Sequence, residues 1–192
     1  LLLRGAVKEA AGYFRRHGEL TAGPEAITKV FHKQHLDLDL AKSRQPYFKQ
    51  LADVLVDTSY WTIMKGDVIY SDDTHGRNLH NSPLVRGRIT PDGETVIATF
   101  APPRKTIDTE CIFVGGDDNY SHWVFRNPLK LSTLDHAGLL GRHPWLVNSD
   151  LRRHQREYLD LFRITPDNLV PVDRNDVIRC RKLVVPALLP NS

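Results

Sequence analysis

Hydrophobic and polar positions along this chain change rhythm twice. Near the start, apolar or small residues recur at Leu3, Val7, Ala10, Ala11 and Phe14, and again at Ile27, Val30 and Phe31. That is the three-to-four spacing of one helix face, and it predicts helices over Leu3–His17 and Pro24–His35. Gly18 and Thr21-Ala22-Gly23-Pro24 separate them, with Pro24 suited to a first helical turn. From Leu51 to Asp108 the runs shorten and become β-type: Val54–Val56, Tyr60–Met64, Val68–Tyr70, Val85–Ile89 and Thr95–Phe100. Turn signals divide them at Lys65-Gly66-Asp67, from Asp73 to Gly76, and at Thr90-Pro91-Asp92-Gly93. A small, mostly antiparallel layer is expected there.

From Glu110 onward strand and helix alternate. Cys111–Val114, Pro144–Val147, Leu169–Val172 and Lys182–Val185 read as strands. Asn119–Ala137 and Asp150–Phe162 read as helices, with Pro128 expected to kink or restart the first of them. This order predicts a parallel sheet with right-handed crossovers: an α/β, Rossmann-like, three-layer domain, preceded by the antiparallel layer and the N-terminal helices. The division expected is a helical linker, or the end of an upstream helical domain, over residues 1–50, and the α/β-bearing domain over residues 51–192.

Composition narrows the classes without choosing one. The chain has 192 residues, 41% hydrophobic and 26% charged, which suits a globular domain with a real core. The net charge of +3 is too balanced to argue for a nucleic-acid partner. Cys111 and Cys180 sit in or beside apolar runs and read as buried free thiols. No run reaches the length of a membrane-spanning helix, and Leu1-Leu2-Leu3 before Arg4 is too short for a signal peptide. The chain begins without Met and is read as a piece of a longer protein.

In a parallel sheet, ligands gather beyond the carboxyl ends of the strands. That places the corner Gly115-Gly116-Asp117-Asp118-Asn119-Tyr120-Ser121-His122-Trp123 at the ligand edge. Gly115 and Gly116 allow backbone conformations closed to other residues, for a ligand's approach or for a tight turn. One of Asp117, Asp118 and Asn119 is expected to cap the helix. The remaining carboxylates make a poor phosphate cradle and a better acceptor of bonds from hydroxyl groups. His122, about one turn into the helix, is kept neutral by the positive helix end and suits a general base. Trp123 either stacks on a sugar face or fills the core. A rival cluster, Asp72, Asp73 and His75 with Asp117, would suit a metal-dependent hydrolase. A third reading is a non-catalytic binding module.

Asn119-Tyr120-Ser121-His122-Trp123, after an apolar strand and a glycine pair, resembles the Asn-Tyr-x-His-Trp signature of glycosyltransferase family 61. That family includes capsular polysaccharide enzymes, xylosyltransferases and O-linked N-acetylglucosamine transferases. The likeness extends through Leu129-Lys130-Leu131, Gln155-Arg156, Leu159 and Lys182–Pro186. Where the family often carries an acidic residue after the Trp, this chain has Arg126 and Asn127.

The resemblance implies the N-terminal, acceptor-side half of a GT-B enzyme. A nucleotide-sugar donor would be held by a C-terminal domain of the same chain that is missing here, and the sugar passed with inversion to a hydroxyl of a glycan or protein acceptor. It implies His122 as base with Asp118 and Asp117 as partners, and Gly115, Gly116, Asn119, Tyr120 and Trp123 as substrate contacts. It leaves a divalent metal open, names no metal-binding residue, and suggests a bacterial-type cytoplasmic location, at the inner face of the membrane.

Overall fold

A computed structural model describes residues 25–35, 48–71, 85–89, 95–115 and 120–186. Of these, 48% are strand and 20% helix, so β-structure outweighs helix by more than two to one. The strands are β1 (Ile27–His35), β2 (Phe48–Asp57), β3 (Thr62–Lys65), β4 (Val68–Ser71), β5 (Val85–Ile89), β6 (Thr95–Phe100), β7 (Lys105–Ile107), β8 (Cys111–Phe113), β9 (Trp145–Asn148), β10 (Leu169–Val172) and β11 (Val177–Pro186). Two α-helices are described, α1 (Tyr120–His136) and α2 (Arg153–Leu161), with a 3₁₀ turn at Pro166–Asn168.

The chain forms two compact units. The first holds β1 and β3–β6 with the later part of β2 and the start of β11. The second holds β8–β10, both helices, the earlier part of β2 and the rest of β11.

In the first unit the strand order is β2-β3-β4-β1-β6-β5. All neighbours are antiparallel except β1 and β4, which run parallel with His32 beside Val68. β3 and β4 close through Gly66-Asp67, with Lys65 opposite Val68. The φ of +55° at Gly66 is what a two-residue hairpin turn of this hand requires, and glycine adopts it without strain.

β1 corrects the helix expected over Pro24–His35. Its β-branched residues Ile27, Thr28 and Val30 favour a pleated surface, and both of its edges are paired. Phe31 enters a core of Met64, Ile69, Val96, Ala98 and Phe100, with its ring 5.9 Å from that of Phe100. The spacing of Ile27, Val30 and Phe31 imitates a helix face, but Val30 and Phe31 fall on opposite faces of the strand. The Leu3–His17 helix and the Thr90–Gly93 turn lie outside the described residues.

In the second unit β10, β9, β8 and β11 lie in that order and all run parallel. The three-layer, Rossmann-like domain is nevertheless not what forms. The chain steps β8→β9→β10 in one direction, so right-handed crossovers put both helices on the same face; a doubly wound sheet needs a reversal between them. The core confirms the single face. Ile112, Trp145 and Val184 stand side by side in register, and they pack with Trp123, Leu131 and Leu134 of α1 and Leu159 of α2 in one cluster. The fold is a mixed sheet with both described helices on one face of its parallel part, and the half of a GT-B fold is set aside.

Pro128 does not divide α1, which runs unbroken through Tyr120–His136. Trp123, Asn127, Leu131 and Leu134 are all buried along one face. That packing outweighs a proline penalty of about 3 kcal/mol.

Both helices end in the same hydrogen-bonded motif. After α1, the Leu139 N–H donates to the Leu134 carbonyl (2.8 Å) and Gly138 N–H to Asp135 (2.9 Å). After α2, Ile164 N–H donates to Leu159 (3.0 Å) and Arg163 N–H to Asp160 (2.9 Å). In each case the buried leucine and the residue five places on join the core. The left-handed position is Gly138 (φ +64°) in the first and Arg163 (φ +58°) in the second. Opposite outcomes follow: Gly138→Ala is expected to destabilise by about 1 kcal/mol, and Arg163→Gly to stabilise by a similar amount. Chemical denaturation of the two variants checks both signs.

Candidate functional site

The carboxyl ends of β8, β9 and β10 carry the polar residues of the second unit. β8 stops at Phe113 because Val114 leads into Gly115, whose φ of +87° turns the chain. A β-carbon on Gly115 would meet nothing closer than Lys130 Nζ at 3.8 Å, an ordinary contact. Backbone conformation, rather than space, therefore selects glycine here. Lys130 reaches back from α1 and donates to the Val114 carbonyl at 2.9 Å, with its ammonium 5.9 Å from the Phe113 ring centre. It thereby ties α1 to the strand end.

Gly116, Asp117, Asp118 and Asn119 lie outside the described residues, as do Asp72, Asp73 and His75 of the rival metal cluster. Tyr120 opens α1 and His122 is its third residue. Tyr120 is 62% exposed, whereas Trp123, one turn on, is 1% exposed. Trp123 meets the Tyr158 ring edge-on at 6.1 Å and belongs to the core cluster. Of its two expected roles, stacking on a ligand or filling the core, the structure places it in the second. Among the described residues its indole N–H has no hydrogen-bond partner.

The neighbouring strand ends bring in residues that sequence reasoning did not select. Ser149 follows β9, and its hydroxyl lies 3.1 Å from an Asp173 carboxylate oxygen beyond β10; its N–H donates to the Val172 carbonyl at 2.9 Å. Arg174 Nε donates to both oxygens of Asp150, at 2.7 Å each. α2 then starts with the Gln155 side chain, fully buried, accepting the Arg152 N–H at 2.7 Å. That is the back-reaching half of a capping box. A sequence signal for this edge did exist. Asn148-Ser149-Asp150 and Asp173-Arg174 are the first polar residues after parallel strands, where ligand-facing groups concentrate.

Two ion pairs lie at or near this edge. Arg174 serves Asp150, and Arg153 serves Glu157 at 2.6 Å. The bond from Arg174 holds the Asp150 carboxyl below the usual carboxylate range, with Arg152 adding to the effect at longer range. A lowered folded value means that the stabilising contribution is present above the unfolded pKa and is lost as pH falls through the folded one. Both partners are partly exposed, so the effect on stability is small. In a proton titration followed by NMR, Arg174→Ala is expected to return Asp150 upward to the ordinary range. An unmoved Asp150 would assign the shift to Arg152 and the backbone instead.

Cys111 and Cys180 are free and buried on adjacent strands. Contact with Cys111 and burial push the Cys180 thiol far up; both are inert in this state. Among the described residues no three His, Cys, Asp or Glu side chains converge as metal ligands would, and no helix is long and apolar enough to cross a membrane. The chain has no match among protein-family models, curated proteins or solved structures.

Proposed function

We propose that this chain is the acceptor-side part of a glycosyltransferase, moving a sugar from a nucleotide-sugar donor to a hydroxyl of a glycan or protein with inversion. The observation that carries the reading is positional. The Tyr120–Trp123 part of the signature opens α1, the helix that follows β8, and Tyr120 meets His154 of α2, the helix that follows the Ser149–Asp150 strand end. The paired aspartates of the corner, Asp117 and Asp118, suit a neutral, hydroxyl-rich ligand better than a diphosphate. His122 takes the proton of the acceptor hydroxyl as its oxygen attacks the anomeric carbon, and the bond to the nucleoside diphosphate breaks with its electron pair on the leaving oxygen. Asp117 and Asp118 orient the acceptor. The donor is a substrate, and the enzyme works in polysaccharide or glycoconjugate synthesis on the cytoplasmic side of a membrane.

The test is release of nucleoside diphosphate by the natural protein that carries these residues, offered a panel of nucleotide sugars with soluble hydroxyl acceptors. Acceptor-dependent release is the expected result. A folded protein that releases no diphosphate from any donor overturns the reading.

A further inference from the structure

We propose that His154 is a positioning residue for saccharide binding: it holds the exposed ring of Tyr120 as a stacking platform for a pyranose ring. The proposal rests on the glycosyl-acceptor reading for its ligand class, and adds the surface used and the residue that fixes it. Trp123, the aromatic residue of the signature best suited to a sugar face, is committed to the core against Tyr158. Tyr120, three residues earlier, is the signature ring that remains at the surface, at the carboxyl edge of β8.

An exposed tyrosine on a helix end is ordinarily mobile, and ordering it on binding costs affinity. Here the ring has a neighbour that restrains it. His154, in the first turn of α2, meets it edge-on, with centroids 5.3 Å apart and planes at 72°. Tyr120 as a residue keeps 62% of its surface open to solvent.

His154 is itself held. It lies next to Gln155, the buried residue that caps α2, and its Nε2 is buried without a hydrogen-bond partner among the described residues. Its contact with Tyr120 is thus one of packing, and an apolar ring of similar size should reproduce it. Rigid aromatic rings with open faces bind sugar C–H surfaces at low entropic cost.

Saturation-transfer NMR with methyl β-xyloside, methyl β-galactoside and methyl β-N-acetylglucosaminide as probes tests the proposal on the natural protein. Thermal melts confirm that each variant is folded. Ring protons of at least one probe are expected to receive saturation. Tyr120→Ala should reduce it by roughly fivefold or more, and Tyr120→Trp should keep it. His154→Ala should reduce it by roughly twofold or more, and His154→Phe should restore it.

Saturation on no probe, or saturation that survives Tyr120→Ala, overturns the platform. Loss in both His154 variants, or in neither, overturns the positioning role. The two readings fail separately. Diphosphate release with an acceptor KM unmoved by Tyr120→Ala removes the platform and leaves the transferase. Probe binding that depends on Tyr120, without diphosphate release from any donor, does the reverse.

Discussion

Trp145→Ala is expected to cost about 3–5 kcal/mol of folding free energy, the largest stability loss proposed for this chain. Trp145 is fully buried at the start of β9, beside Ile112 of β8 and Leu169 of β10 in register, and it faces the cluster that α1 and α2 cover. Truncation removes its apolar transfer energy and leaves a cavity between sheet and helices that rigid neighbours fill only in part. For a chain of this size the midpoint of thermal unfolding should fall by roughly 10 °C. Trp145→Phe separates volume from polarity. The indole N–H is buried with no partner among the described residues, and an unpaired buried donor costs about 1–3 kcal/mol. Its removal offsets the smaller loss of volume, so the phenylalanine variant should lie within about 1 kcal/mol of the parent protein. Denaturant midpoints at constant slope decide the matter. A phenylalanine variant as unstable as the alanine one would mean that the N–H is satisfied, by water for instance.

The same cluster explains why the second unit was legible locally but not globally. Cys111–Val114, Asn119–Ala137, Pro144–Val147 and Leu169–Val172 were readable as runs, and β8, α1, β9 and β10 fall within a residue or so of them. Their periods come from burial on one helix face or on both strand faces, and that is written in the residues. The direction of each crossover is not. β8→β9→β10 stepping one way, with both helices on one face, follows from how strands find partners across long separations, so the same runs also fit a doubly wound sheet. β1 failed for a related reason. Its partners Val68 and Phe100 lie far along the chain from His32 and Ile27, and nothing local favours their pairing over a helical turn.

Tyr60 and Trp61 show the opposite failure, in which β-type residues sit in a turn. The Asp57 carboxylate accepts the Ser59 N–H at 2.9 Å, Trp61 takes a φ of +57°, and the strand begins only at Thr62. Side-chain hydrogen bonding redirected the backbone there against its intrinsic preference. At the candidate site, the corner itself was visible because glycine and helix-start residues follow an apolar run. The residues that complete the edge, Ser149, Asp150, Asp173 and Arg174, come from two other strand ends and become neighbours only once the parallel order is known.

His122→Ala should lower the turnover of acceptor-dependent diphosphate release by about 10²–10⁴-fold, the range of a positioned general base, while leaving donor KM near its parent value. The expectation follows from where His122 stands: the third residue of α1, in its first turn. A general base works in its unprotonated form, so turnover should fall at acid pH in the parent protein, and the alanine variant should lose that dependence. His122→Gln keeps a hydrogen-bonding side chain of similar reach but cannot take up a proton in this range. It should lose turnover as the alanine variant does, while keeping the acceptor KM closer to the parent's. Unchanged turnover in both variants would remove His122 from the chemistry and transfer the base to Asp117 or Asp118, whose single alanine variants would then carry the loss. Retained turnover in all four would place the base outside this corner.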